Sequence, residues 1–389
     1  MTVRDYALRW LEVQDVRLNT RKMYNTELGY ALELLGDMLL RDVRPTHIKD
    51  ALASLKNRVM GAKEGKGKKS GATMSTRTLG MVRARLRSVF AAAVADQRIY
   101  TNPVEATKRI KGNDGGEVRR GVALDFDQAS RLHELGEALY AAGVCRLWVA
   151  VFTALSVGLR RGEVMGLRWQ DIDLENGVLM VRQNLTLVDS KVNLGKPKTR
   201  QSIRDIPMPP SLKTALGQQH AAMLEEASIR GGKLHPESPV FATITGEFTS
   251  PDNLKRALQN LLEWSDPDPT ARERKAKKGA KPRVLQVQYT TLERRLKGVP
   301  VPHRAKLEAI IREGKALPRI TPHDLRHTAG TQMLRCKMPL EVVSKVLGHA
   351  KVSITLDVYR HVLETETKAE MVDLYPFKPA RVMPSVSMN

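Results

Sequence analysis

The chain has 389 residues, room for two or three domains at roughly 100–200 residues each, and 42% of them are hydrophobic, enough for a substantial core. Lys and Arg number 64 against 42 Asp and Glu, a formal charge of +22, which argues against a generic metabolic enzyme and for a polyanionic partner. Nucleic acid is favoured over a membrane, because no apolar run reaches the roughly 18 residues of a spanning helix and the N-terminus, with Arg4, Asp5 and Arg9, is not a targeting peptide.

Residues 1–110 read as helices. From Val3 to Val16 the positions Val3, Tyr6, Ala7, Trp10, Leu11 and Val13 lie close to a helical stripe. Asn19-Thr20 offers a cap for a second helix through Tyr24, Leu28, Ala31, Leu32 and Leu35, stopped at Gly36. Pro45-Thr46 opens a third, with Ile48, Leu52 and Leu55 inward. Gly61 to Gly71 interleaves glycines with Lys63, Lys66, Lys68 and Lys69, a flexible basic loop. Ser75 or Thr76 caps a fourth helix, Arg77 to Asp96, which alternates Arg83, Arg85 and Arg87 with Val82, Leu86, Val89 and Phe90. One such arginine alone is as easily a solvated face. Beside the lysine loop, and with the global charge, a phosphate-contacting face that includes Arg83 and Arg87 is the better expectation.

Lys108 to Gly121 is Gly-rich and basic and reads as an interdomain linker, 111–121 in the boundaries adopted here. Beyond it, Asp125 or Asp127 could cap a helix, and a strongly apolar helix follows from Val144 to Val157. Between Gly177 and Pro207 the runs Val178–Val181, Leu185–Val188 and Ile203–Ile206 read as a small antiparallel sheet of about three strands. Helical patterning returns from Ser211. Asp266-Pro267-Asp268-Pro269 then breaks the chain, a basic run follows from Arg272 to Arg283, and Leu285–Leu296 and His303–Glu313 are amphipathic. Cys145 and Cys336 are too few for a disulfide framework or a four-ligand zinc site; both are expected as buried free thiols in helical contexts, in a reducing compartment.

The most informative segment runs from Thr321 to His361. Thr321-Pro322 is a helix-start signal that sets His323 and Arg326 on one face near a helix N-terminus. Two cations there repel unless the His stays neutral or an anion lies between them, and the helix N-terminus favours the anion. Gly348 ends a later helix and presents His349 on a loop. Tyr359 follows in a second short helix that Ser353 could cap.

This segment resembles the C-terminal signature of the tyrosine recombinases, the phage integrase family: His-x-x-Arg, then Leu347-Gly348-His349, then a nucleophilic tyrosine. Upstream, Gly158-Leu159-Arg160-Arg161-Gly162-Glu163 resembles the family's first-arginine motif, with Ser156-Val157 where a threonine usually precedes the glycine. Gly195-Lys196-Pro197-Lys198-Thr199-Arg200 resembles the β-hairpin carrying the catalytic lysine. The resemblance spans residues ~1–375. It implies a mainly α fold with a small antiparallel β-sheet in two domains: a helical core-binding, SAM-like DNA-binding domain over 1–110 and a mixed catalytic domain over 122–375, with an insertion at 265–319 and a tail at 376–389. It also implies cleavage and rejoining of DNA through a 3′-phosphotyrosyl intermediate, without metal, ATP or other cofactor.

The chemistry makes sense of each residue type. Charge that builds on nonbridging phosphate oxygens calls for cations, and arginine is planar, bidentate and always charged. The resemblance therefore assigns Arg160 and Arg326 to the scissile phosphate, Tyr359 as nucleophile, His323 as base, and His349 as a hydrogen-bonding or orienting group. Lys198 is the proton donor to the leaving 5′-oxygen, favoured over Lys196 because it directly precedes Thr199. Glu163 orients the Arg160 clamp, although a helix-surface salt bridge would look identical in sequence. Arg161, Arg168 and His327 read as surface or structural residues. Tyr289 and Tyr375 do not follow a Leu-Gly-His box.

The implied partners are double-stranded DNA with specific core sites, further copies of the chain in a homotetramer, and host or phage DNA-bending proteins, in the nucleoid-associated cytoplasm of a bacterial host. Integration or excision of a phage or mobile element is the leading expectation. A Xer-like chromosomal resolvase, a type IB topoisomerase-like activity and an inactive DNA-binding regulator are the alternatives. The chain starts directly in what resembles the core-binding domain, so no arm-binding domain is expected. Where relatives have a short turn after the helix at Pro251–Trp264, about 55 residues intervene; they read equally as an extra DNA or protomer contact and as a surface excursion, since loop closure costs only about 0.6 kcal/mol per doubling of length. In the tail, Met371, Val372, Leu374 and Phe377 could pack on a neighbouring protomer.

Overall fold

The computed structural model describes residues 1–58, 73–108, 110, 121–188, 191–195, 197, 200–267 and 292–360. They fall into two compact units, one within Met1–Arg120 and one from Gly121 onward. Lys63, Lys66, Lys68, Lys69, Lys196, Lys198, most of the expected linker and the tail lie outside the described residues.

The first unit holds four helices: α1 (Val3–Glu12), α2 (Leu18–Leu35), α3 (Pro45–Asn57) and α4 (Thr76–Ala95). Thr2 and Asp5 cap α1 reciprocally, hydroxyl to N–H and carboxylate to N–H. The helix stops at Glu12 rather than Val16, where the Arg21 guanidinium takes the carbonyls of Leu11 and Glu12. α2 starts ahead of the expected Asn19-Thr20 cap, with Arg17 at the N-cap. Tyr6, Leu28, Leu32, Ile48, Leu52, Leu86 and Phe90 share one core, each contributing on the order of 1.5–3 kcal/mol.

The α4 arginines do not form the expected face. Arg83 is buried, donating from Nε to Thr107 Oγ1 at 3.0 Å and from Nη2 to the carbonyls of Val104 (3.1 Å) and Thr107 (2.6 Å). It is thus a structural tether, and its assignment as a DNA contact is corrected. Arg85 is turned onto the Tyr24 ring and pairs with buried Glu27. Arg87 remains half exposed, paired with Glu105 at 3.1 Å.

The second unit begins with α5 (Phe126–Ala141), capped by Asp125, and α6 (Trp148–Val157), which is apolar all round and buried at nearly every position. After α7 (Arg161–Met165) come β1 (Ile172–Asp173), β2 (Val178–Val181), β3 (Asn184–Val188), β4 (Lys191–Gly195) and β5 (Arg204–Pro207). They make two sheets rather than one: β1-β2-β5, with Val181 opposite Arg204, and a β3-β4 hairpin, with Asn184 opposite Gly195. The helices α8 (Pro210–Ile229), α9 (Pro251–Trp264), α10 (Leu292–Lys297), α11 (Val301–Glu313), α12 (Pro322–Arg335), α13 (Leu340–Leu347) and α14 (352–360) follow. α6 packs against α5, α7, α8, α9 and α12.

Residues 292–320 are not a surface excursion. Leu292, Leu296, Val299, Leu307, Ile310 and Ile311 lie in the same core as α5 and α6. Arg131 of α5 donates to the carbonyls of Ile310 and Ser265, and the Leu317 N–H donates to the Ser265 hydroxyl at 3.0 Å. Of the two thiols, Cys145 is buried in a turn, and burial pushes its pKa up to about 11; Cys336, expected to be buried, is exposed just past α12.

Candidate active site

Two helix ends and two helix starts meet here. α6 ends at Gly158 in the left-handed region (φ +68°), where a β-carbon would also press on Leu347. The chain then turns so that Arg160 is the N-cap of α7, its N–H donating to Glu163 Oε2 at 3.0 Å. α13 ends likewise at Gly348 (φ +66°), and His349 follows. α12 is started by Thr321 and Asp324, which cap each other, and Asp324 and Thr328 also hold the Val122 and Leu124 N–H groups at 3.1 and 3.0 Å. Ser353 does not cap the last helix but lies within it.

The Glu163 carboxylate is almost wholly buried and shared by two guanidiniums. Arg160 Nη1 lies 2.7 Å from Oε1, and Arg204 Nη2 lies 3.1 Å from Oε2. Each arginine also grips the turn that carries His349: Arg160 Nη2 donates to Gly348 O at 3.1 Å, and Arg204 Nε to Val346 O at 2.6 Å. Glu163 is therefore no surface salt bridge. Its own burial would raise its pKa, but Arg204 and then Arg160 outweigh that and hold it below the usual carboxylate range.

Arg326 is 3% exposed. Its Nη1 donates to Gly158 O at 2.8 Å, and its Nη2 is buried without a hydrogen-bond partner. Burial first, then Arg160, lowers its pKa to about 9. Three guanidiniums thus face one carboxylate, a local surplus of positive charge. The same surplus acts on the histidines. His349 is pushed down to about 4, by desolvation and then by Arg326, Arg160, Arg204 and His327, and its Nδ1 lies 2.7 Å from the buried Thr355 hydroxyl. His323 stands at the exposed N-terminus of α12 and is also lowered, by desolvation and then by Arg326. Arg326, expected on the same face, is turned inward.

Tyr359 is 2% exposed, and its hydroxyl donates to the Arg326 carbonyl at 3.4 Å. Burial pushes the phenol up to about 12, with Arg326 opposing. A β-carbon on Gly330 would overlap the phenol oxygen. His327 sits between, its ring 4.7 Å from His323 and 6.1 Å from Tyr359 by centroids, closer to the site than its reading as a flanking residue implied. Arg161 pairs at the surface with Asp252, and Arg168 with Asp171. Arg204 is the site residue that sequence reasoning missed. Arg160, Glu163, Arg326, His349 and Tyr359 come together with His323 at their edge; Lys198 is outside the described residues.

Such a site can hold an anion, offer neutral imidazoles as proton acceptors and present a phenol. A family model described as the phage integrase family matches residues 123–366. A tyrosine recombinase XerC-like protein of Caldanaerobacter subterraneus is 26% identical over 303 residues, 74% of this chain and 63% of that protein. The prophage integrase IntR of Escherichia coli is 27% identical over 218 residues, 54% of this chain and 48% of that protein. The chain thus spans about half to two thirds of these curated relatives. Among solved structures, the Tn1549 transposon integrase in complex with transposon right end DNA aligns with a TM-score of 0.64 at 19% identity, over 96% of this chain and 100% of that one. A lambda integrase tetramer bound to a Holliday junction aligns at 0.53 and 17% identity, over 92% and 77%. At these identities the structures show the shared fold.

Proposed function

The chain belongs to the phage integrase family, and from that premise we propose that it is a site-specific DNA recombinase that cleaves and rejoins strands through a phosphotyrosyl intermediate. In this reading Arg160 and Arg326 hold the nonbridging oxygens of the scissile phosphate. The Tyr359 oxygen attacks phosphorus as the bond to the 5′-oxygen breaks. The phenol proton passes to His323, the leaving oxygen takes a proton from Lys198, and His349 hydrogen-bonds the phosphate. Attack by a 5′-hydroxyl on the phosphotyrosine reverses the step, so the bond energy is kept and no ATP is consumed.

The observation that carries the reading is Arg326. Leaving a buried donor unpaired costs on the order of 1–3 kcal/mol, and that donor, beside Arg160 and a buried phenol, is what an incoming phosphate oxygen would satisfy. The depressed histidines support it: both are neutral near pH 7 and can accept a proton.

The partners in this reading are duplex DNA with specific core sites and three further copies of the chain, in the cytoplasm of a bacterial host at its nucleoid. Integration or excision of a phage or other mobile element is the biological role, with DNA-bending proteins assisting. Lys63, Lys66, Lys68, Lys69 and Arg87 contact phosphates. The test is covalent capture of duplexes from a random-sequence nicked library in the presence of EDTA, then reaction of two captured sequences. Recombination between paired sites is expected. Relaxation of any supercoiled plasmid without a captured site would instead mark a topoisomerase, and absence of covalent DNA would end the reading.

A further inference from the structure

Arg204 is carried by β5, just past the Gly195–Arg200 hairpin motif and outside every motif that resembles the family signature. Its side chain is 3% exposed. Its donors are spent on three partners: Glu163 Oε2 at 3.1 Å, Val346 O at 2.6 Å and Ser202 O at 2.9 Å. The first partner is the carboxylate that orients Arg160, and the second begins the turn that ends in His349. A β-carbon on Gly348 would come within 2.8 Å of Arg204 Nη1, so the turn lies directly against the guanidinium. Arg160 closes the ring by donating to Gly348 O at 3.1 Å. Two separate chain segments, the start of α7 and the end of α13, are thereby locked to one another by two arginines that share Glu163, of which Arg204 is the buried one.

We propose that Arg204 is a positioning residue for recombination, setting the Arg160 guanidinium through Glu163 and the His349 turn through Val346. The assignment rests on the recombinase reading above. Arg204 touches no DNA in this role; it fixes the geometry and charge of groups that do. Burial makes the arrangement rigid, because a guanidinium enclosed by three acceptors has one orientation that satisfies them. Removing it leaves Glu163 with one partner rather than two and frees the Val346 carbonyl.

The experiment compares wild type, Arg204→Met and Arg204→Lys in single-turnover cleavage of a nicked duplex captured by the wild-type protein, with duplex affinity measured separately. Arg204→Met should lower the cleavage rate on the order of 10²-fold with affinity unchanged. Arg204→Lys keeps the charge and one strong contact to Glu163, and should recover part of that loss. In a double-mutant cycle with Glu163→Gln the two losses should be strongly non-additive, since both act through one carboxylate. The His349 imidazole, surrounded by Arg326, Arg160, Arg204 and His327, should titrate at higher pH by NMR once Arg204 is gone. Wild-type cleavage by Arg204→Met, additive losses, or equal loss of binding and cleavage would overturn the proposal. Should Arg204→Met fail to fold, Arg204→Lys with wild-type cleavage would overturn it, and slowed cleavage at unchanged affinity would support it. A wild-type protein that forms no adduct would instead overturn the parent reading.

Discussion

The backbone carbonyl of Arg326 accepts the hydroxyl of Tyr359 at 3.4 Å, while the Arg326 side chain reaches the other way to Gly158 O at 2.8 Å. One turn of α12 therefore holds both the group proposed to attack phosphorus and a group proposed to clamp it. The relationship depends on Gly330, one turn further along, which leaves room for the phenol.

Gly330→Ala should displace the Tyr359 ring. Phosphotyrosyl adduct formation is expected to fall on the order of 10²-fold, with an overpacking cost of about 1–3 kcal/mol in thermal unfolding. A variant that reacts at the wild-type rate would show that the phenol does not use this seat.

Arg326→Met should separate stability from activity. The buried cation, its pKa lowered to about 9 chiefly by desolvation, destabilises the folded state at neutral pH, and replacing such a group by an apolar one of similar size is often neutral or stabilising. The melting temperature should stay level or rise while cleavage drops by about 10²–10³-fold. A large loss of stability would mean that the guanidinium is mainly structural.

The histidines set the pH dependence. His349 has a folded pKa of about 4 against an ordinary 6.5, and His323 is also lowered. Acid therefore protonates the unfolded chain first: the His349 contribution is complete above pH 6.5 and is lost as the pH falls toward 4, and the His323 contribution is lost in the same direction. Cleavage by the folded protein follows the lowered folded-state values instead: it should rise as the pH climbs through them and the acceptors become neutral, and should be at its plateau by pH 7. The Tyr359 phenol, at about 12, stays protonated throughout, so a rate that tracked phenol ionisation alone would contradict base assistance. A stopped-flow pH profile beside a chemical denaturation series reads both.

Arg83 and Arg87 should behave oppositely. Arg83→Ala removes the donors to Thr107 and Val104 and should cost about 1–3 kcal/mol of stability. Arg87→Ala should leave stability within about 0.5 kcal/mol but weaken duplex binding and reduce its salt slope by about 1. Titration at several salt concentrations, alongside unfolding of each variant, separates the two.

Leu307→Ala and Ile311→Ala test whether 292–320 is part of the catalytic core. Each side chain is fully buried, so a loss of about 2–5 kcal/mol is expected in denaturant unfolding. A loss below about 0.5 kcal/mol would restore the surface-excursion reading.

Local chemistry made part of this legible from the residues alone. Thr321-Pro322, Ser75 and Asp125 announce helix starts, and Gly348 a stop, because caps and left-handed turns are settled within a few residues. Arg83 was misread because its partners lie more than twenty residues away, and nothing in an alternating Arg/aliphatic helix says which arginine turns inward. Strand β4 was missed because Lys191–Gly195 is exposed throughout and its pairing with β3 carries little apolar pattern. Arg204 was invisible for the same reason as Arg83: Glu163 and Val346 lie 41 and 142 residues from it in the chain. The core role of 292–320 was hidden behind the basic run that precedes it.

The central claim is that Tyr359, whose hydroxyl is held by the Arg326 carbonyl, becomes covalently attached to DNA. Peptide mapping of the adduct formed on a nicked duplex in EDTA tests it most directly. A phosphotyrosine at Tyr359 in the wild type, with no adduct from Tyr359→Phe, is the predicted result. An adduct at another residue, one that persists in Tyr359→Phe, or one that forms only when a divalent ion is added would contradict it.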